Sequence, residues 1–294
     1  LRSEAAGIKV NLASYIELER VLVREGMTNG VQFDQSQAFI HGCVVWSNRG
    51  SALRFGNTVV VDVTNSVLEA SGPGSYCYES PTNVILRADY NDLVISATAQ
   101  VASINGIEYP SLPQWVKATL QDRYSLNTGP LFHDPANGDF HLRSLAGRYQ
   151  PDVGWTNDVL HPDLPDFSPL IDMGNPRSAW SNEPNPRGNR RNVGLHGNTV
   201  LASMSNTNRW LLAVTGMGGG LLSEDVNLTW GYGGDIDSNE IVRLEYSARN
   251  GAEPWVLIGE AAVGAGQFPW DSDWTLYGVD VFKSSSRARW RISL

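Results

Sequence analysis

The chain has 294 residues, 41% of them apolar and 18% charged, a composition that fits one or two globular domains and excludes a disordered polypeptide. A net charge of −9, with no basic cluster beyond Arg187, Arg190 and Arg191, excludes a phosphate-reading face and so a nucleic-acid partner. No apolar run is long enough to cross a bilayer, so no transmembrane segment is expected, and 29 glycines among many short β-type runs point to an all-β protein.

The first hundred residues carry a repeat. Three pairs of apolar residues, each with an i, i+2 step, recur together: Ile16/Leu18, Val21/Val23 and Val31/Phe33; then Ala38/Ile40, Cys43/Val45 and Leu53/Phe55; then Val61/Val63, Ser66/Leu68 and Tyr76/Tyr78. An i, i+2 pair is one face of a short strand, and three strands per period with no room for a long helix describe one coil of a parallel β-helix. A fourth set opens with Val84/Leu86 and is expected to fail, because Asp89 and Asn91 fall where its second pair should be. A leucine-rich repeat has a similar period, but it carries one strand per repeat, whereas the return here holds two more strand-like pairs. Cys43 falls in the inward register. Cys77, between Tyr76 and Tyr78, is expected to point outward, and a disulfide between the two is not expected. Since the repeat starts close to Leu1, little chain is left to cap the first coil. The chain reads as a mature form or as a fragment of a longer one, and an uncapped end is an open sheet edge that invites pairing.

From 101 to 126 the pattern changes. Pro110 and Pro113, followed by Gln114–Leu120, read as a turn and a short helix with Ser111 as a candidate cap. Residues 127–199 are dense in Pro, Gly, Asn and Asp, with short apolar anchors between, and read as irregular but ordered coils. Residues 200–208 read as a linker. Six strand-length runs follow, at Trp210–Val214, Val226–Trp230, Ile241–Tyr246, Trp255–Ile258, Tyr277–Val281 and Arg289–Leu294. Their spacing suits an antiparallel β-sandwich. Six of the ten tryptophans lie in this last part and would supply much of its core.

Several long motifs sit in the middle of the chain. They are Trp115-x-x-Ala118-Thr119-x-Gln121-Asp122-x-x-Ser125-Leu126, Gly129 to Leu142, Ser168-Pro-Leu-Ile-Asp-Met-Gly-Asn-Pro176, and Glu183-Pro184 through Arg190, Asn192, Gly194 and Gly197-Asn-Thr199. With the repeat, they resemble the C-terminal end of secreted right-handed parallel β-helix repeat proteins of the pectate-lyase-like fold, over roughly residues 10–202. Residues 209–294 resemble the immunoglobulin- or fibronectin-like sandwich modules that follow such β-helices, through Asp235-Ile-Asp237-Ser-Asn-Glu240, Glu245-Tyr-Ser247, Phe268-Pro-Trp-Asp271 and Arg289-Trp-Arg-Ile292. The resemblance implies export. It implies no single activity, because the family mixes lyases, hydrolases and proteins without known chemistry.

A polysaccharide lyase needs a basic group beside a uronic carboxylate, often with Ca²⁺ to neutralise it. The outward charged positions, Glu17, Glu19, Arg24, His41, Arg54, Asp62, Glu69 and Arg87, form no column of carboxylates. Gln32, Arg54 and Cys77 are expected to stack, which leaves one cation. Neither Glu17/Glu19 nor Asp62/Glu69 is marked out as a glycosidase pair, and the five histidines lack zinc spacing. No catalytic residue is therefore assigned. Asp235, Asp237, Asn239 and Glu240 echo the start of a Ca²⁺ loop without its Gly and distal Glu, so calcium there would be structural. Trp155 and Trp180, with Trp270 and Trp274, are the candidates for stacking on a glycan.

The sequence thus predicts an exported all-β protein, a right-handed parallel β-helix over 1–200 and an antiparallel sandwich over 209–294. Its expected role is a structural or adhesive module of a bacterial extracellular or cell-surface assembly, self-associating or joined to other surface chains, including as a filament. The alternatives are a carbohydrate-active enzyme of the lyase type and a glycan-binding module.

Overall fold

The computed structural model describes residues 7–11, 15–35, 37–57, 60–215, 225–271 and 288–294, with the backbone of 275–276 and 279–280. The chain divides into two compact units near residues 206 and 207.

The first unit opens with four coils of three strands each. They are β1 (Ile8–Asn11), β2 (Ile16–Glu19) and β3 (Leu22–Arg24); β4 (Val31–Asp34), β5 (Gln37–His41) and β6 (Val44–Trp46); β7 (Leu53–Phe55), β8 (Val60–Thr64) and β9 (Val67–Ser71); and β10 (Tyr76–Ser80), β11 (Ile85–Asp89) and β12 (Asp92–Ser96). Equivalent strands stack in parallel into the sheets β1-β4-β7-β10, β2-β5-β8-β11 and β3-β6-β9-β12. The first sheet is extended by β13 (Gln100–Ile104) and, antiparallel to it, β14 (Ile107–Tyr109). This is a β-solenoid, and the leucine-rich alternative falls because every coil has three strands.

The i, i+2 pairs fill the interior. Val31, Phe33, Ala38, Ile40, Leu53, Phe55, Val61 and Val63 are at most 1% exposed, and the Phe33 and Phe55 rings stack at 6.2 Å. The corner after the second strand of each coil is made by one residue in the left-handed region: Arg20 (φ 52°), Gly42 (60°), Asn65 (54°) and Tyr90 (58°). Three of these four carry side chains, so the turn itself does not demand glycine. Gly42 answers a different need, since a Cβ there would sit 2.7 Å from an Arg191 guanidinium nitrogen. Beside this corner a buried polar ladder links the coils. The Cys43 amide donates to Ser66 Oγ (3.1 Å), the Ser66 amide to Asn91 Oδ1 (3.0 Å) and the Asn91 amide to Ser125 Oγ (2.8 Å). Each rung satisfies a backbone donor that the turn removes from the strand ladder.

Two expectations are corrected here. The fourth coil forms. The turn between β9 and β10 is longer, so Tyr78 stacks on Leu53 and Leu86 on Val61, each 25 positions on, where Val61 stacks on Ala38 after 23. The inward pair is Leu86/Ala88, and Asn91 falls on Ser66, where it serves the ladder rather than breaking the coil. Cys77 points inward, fully buried: Tyr78 aligns with the inward Leu53, and the alternation breaks at this point, so that consecutive residues Cys77 and Tyr78 both face the core. Arg54 stacks on Glu79 instead, giving an outward column Lys9, Gln32, Arg54, Glu79 and Ser103. Burial pushes the Cys43 thiol up to about 11 and Cys77 well above its ordinary value. Neither thiol should therefore react with a thiol-specific reagent in the native protein at pH 8, while both should after unfolding in denaturant. Fast native labelling of Cys77, located by peptide mapping, would contradict its inward placement.

Most of the far end of the solenoid is covered. The helix α1 (Leu112–Thr119) lays Trp115, 2% exposed, over Tyr78 and Tyr109. Ser111 precedes it in the N-cap position, but its hydroxyl donates to Gln114 Oε1 rather than capping the backbone. Gln121 and Asp122 then bond the edge of β11, Leu126 that of β12, and β14 covers β13. Residues 127–205 run back over the outer face of the β3-β6-β9-β12 sheet as two hairpins, Phe132–Asp134 with Asp139–Leu142 and Arg148–Gln150 with Gly154–Thr156, joined by turns. Trp46 meets Phe132 and Phe140 edge-on at 5.2 and 6.5 Å, and Arg24 donates to the Pro135 carbonyl.

The second unit has two three-stranded antiparallel sheets, Trp210–Ala213, Asp225–Gly233 and Gln267–Asp271, and Val256–Ala262, Ile241–Ser247 and Arg289–Ser293. Leu228, Trp230, Val242, Leu244, Tyr246, Val263 and Trp270 form their common core. Strand Gln267–Asp271 was not among the runs expected from sequence. Its Pro269 is tolerated because the strand lies at a sheet edge. Of the run Tyr277–Val281, only the backbone of Val279–Asp280 is described, paired with Thr275–Leu276.

Candidate functional site

The two ends of the solenoid differ, and the difference is its most distinctive surface. At the near end, the outer edges of β1, β2 and β3 pair with no strand among the described residues. The interior pairs are correspondingly open. Ile8, Val10, Ile16, Leu18 and Val21 are only partly buried, whereas Val31, Phe33, Ala38, Ile40 and Cys43 directly above them are at most 2% exposed. Unpaired main-chain groups on three sides of an apolar interior make a template for further coils or for another chain.

The densest set of titratable groups lies in the two hairpins. Arg148 donates to Asp158 (2.9 Å) and lies 3.5 Å from Asp139, with His133 2.7 Å from its other terminal nitrogen. His133 Nδ1 also lies 3.1 Å from Asp158. His141 pairs with Asp139 at 2.6 Å, and its ring stacks on His196 at 3.8 Å. Burial works against the Asp139 carboxylate, but the His141 donors and Arg148 outweigh it and hold it below the usual range. Burial and the neighbouring His141 lower His196 to about 4. In this set each carboxylate is engaged by donors that tie one hairpin to the other. Sequence reasoning missed it; the only local signal is the Asp139-Phe140-His141 triplet.

The long motifs are turn anchors. Glu183 Oε1 accepts from the Asn192 and Asn198 amides, Asp172 accepts from the Gly188 amide and Ser205, and Asn192 bridges the Asp172 amide and the Ser203 carbonyl. Burial raises Glu183 to about 7 and Asp172 to about 6. Arg190 donates to the Gly174 and Met173 carbonyls.

The residues singled out from sequence are scattered. In the loop before strand Ile241–Ser247, Asp237 accepts from both Asn239 nitrogens, while Glu240 accepts from the Asp237 amide and pairs with Arg209. Asp235 is exposed beside them. Among the described residues no three His, Cys, Asp or Glu side chains converge as metal ligands. Arg54 is paired with Glu79 at 3.1 Å, and Arg87 lies 3.8 Å from Asp62. Trp155 is 44% exposed, edge-on to Tyr149, and Trp180 is half-buried under the Arg187 guanidinium at 5.6 Å. Trp270 is a correction, since it is 7% exposed in the core of the second unit and offers no free face; Trp274 lies outside the described residues.

No family model, no curated protein and no solved structure matches this chain.

Proposed function

We propose that this chain is a non-catalytic structural or adhesive module of a bacterial extracellular or cell-surface assembly, and that the open near end of its solenoid is the joint. The observation that carries the reading is the contrast between the ends: at one, three edges that pair with no strand among the described residues, around a partly buried apolar interior; at the other, a cover of helix and loops over most of the end. The resemblance to secreted β-helix proteins supplies the cellular setting. A largely covered far end leaves the near end as the surface for stacking, so two copies meet head to head, and a filament needs a second contact elsewhere.

Light scattering on the purified chain tests this. The expected result is a dimer at tens of micromolar. A Val10→Lys/Leu18→Lys double variant, charging two partly buried interior positions of the first coil, should be monomeric with its far-UV spectrum retained. A wild-type chain that stays monomeric up to about 1 mM, a concentration at which even weak contacts show, overturns the reading.

A further inference from the structure

The cover over the far end has a gap, and the gap has a shape. Leu126 adds to the outer edge of β12 as a parallel strand would: its amide donates to the Asn91 carbonyl (2.7 Å) and its carbonyl accepts from the Leu93 amide (2.8 Å). In a parallel ladder the next rung would run from the residue-128 amide to the Leu93 carbonyl, and from the Ile95 amide to the residue-128 carbonyl. That rung is not made. The Thr128 amide donates instead to the buried Asp92 carboxylate at 2.9 Å, and the chain leaves the edge. The Leu93 carbonyl and the Ile95 amide, which face away from β9, have no partner among the described residues. Beside them lies a groove of about 400 Å³, with Val94, Ile95, Ala97 and Ala99 on one side and Asn127, Thr128 and Gly129 on the other.

We propose that this groove is a strand-addition site that takes an extended peptide with alternating β-branched side chains. The occupant follows from what the groove lacks. Leu126 shows that the edge accepts a parallel strand, and the two unpaired groups are one acceptor and one donor at the positions the next strand residue would serve. The groove is small and its lining is mixed, apolar at Val94, Ile95, Ala97 and Ala99 and polar at Asn127 and Thr128, so one side chain of the guest packs against the apolar side while its backbone supplies the hydrogen bonds. Asp92 is the positioning residue: its carboxylate diverts the protein's own chain and keeps the edge free. This site is at the opposite end from the proposed joint and stands or falls independently of it.

Amide hydrogen exchange read by NMR tests the site, with the peptide acetyl-Thr-Val-Thr-Val-Thr-amide as probe. In the protein alone the Ile95 amide should exchange faster than the Leu93 amide, which Leu126 already protects. With about 1 mM peptide, Ile95 exchange should slow by about tenfold while Leu93 is unchanged. A Gly129→Phe variant should abolish the effect, because a Cβ at Gly129 meets nothing within 4 Å and the ring can occupy the groove without strain. Strong protection of Ile95 in the protein alone would mean that its own chain covers the edge, and the proposal fails. It fails equally if the peptide leaves Ile95 exchange unchanged, or if it slows exchange as much in Gly129→Phe.

Discussion

Replacing Asp122 by alanine is expected to cost the first unit about 2–4 kcal/mol, since a buried neutral donor left unsatisfied costs about 1–3 kcal/mol and several donors lose this acceptor at once. Asp122 is 1% exposed and accepts from four side chains: Trp115 Nε1 (3.0 Å), Ser125 Oγ (2.6 Å), Asn91 Nδ2 (3.1 Å) and, at the limit, Tyr78 OH (3.5 Å). Alanine leaves the buried indole with no acceptor and the other three donors weakened. Asp122 also joins the two parts of the cover, the helix through Trp115 and the polar ladder through Ser125 and Asn91, so its loss loosens the whole far end. Asp122→Asn keeps one acceptor oxygen and turns a donor toward the indole, and should cost less, about 1–3 kcal/mol. Urea unfolding followed by tryptophan fluorescence gives both values. A further sign is expected for the alanine variant: the uncovered edges of β11 and β12 should promote aggregation at concentrations where Asp122→Asn stays soluble. An alanine variant within about 1 kcal/mol of wild type would show that the cover does not depend on this network.

The solenoid was legible in the chain because its signal is repeated. Ala38/Ile40 over Val61/Val63 repeats a two-residue step at a fixed interval, and each copy independently reports the same strand. Where the interval changed, the reading failed. A longer turn between β9 and β10 put Leu86 25 positions after Val61 rather than 23, and Asn91, polar and buried, read as the end of the coil when it is a rung inside it. At Cys77–Tyr78 the alternation that sorts inward from outward breaks, which a strict period of two cannot foresee. The hairpin charge cluster was not legible, since Arg148, Asp158 and His133 meet through turns that leave no period in the sequence. The groove was hidden for the same reason: it depends on which acceptor the Thr128 amide chooses, a single hydrogen bond.

Asp92→Asn is expected to abolish a large part of the protein's loss of stability with rising pH. Asp92 is fully buried; one carboxylate oxygen accepts from Thr128 and the other has no partner. Burial raises its pKa from 3.8 to about 8, the Thr128 amide opposing the shift only in part. The folded state therefore holds this proton between about pH 4 and pH 8 while the unfolded chain has released it. A state that binds more protons loses ground as pH rises, so the folded protein loses about 1.4 kcal/mol per pH unit across that window. The accumulated effect of this one group is on the order of 5 kcal/mol, fully spent above pH 8 and absent below pH 4. Asparagine is isosteric, keeps the acceptor for Thr128 and cannot ionise. Unfolding free energies should coincide for the two proteins near pH 4 and diverge as pH rises, the variant being the more stable by several kcal/mol at pH 9. Asp89 and Asp172, raised to about 6, and Glu183, raised to about 7, leave a residual slope of the same sign in both proteins, so the difference between them isolates Asp92. Parallel curves would show that Asp92 is ionised in the fold at neutral pH. Because asparagine still takes the Thr128 amide, the groove beside it should persist in the variant, and the Ile95 amide should remain as exchangeable as in the wild type.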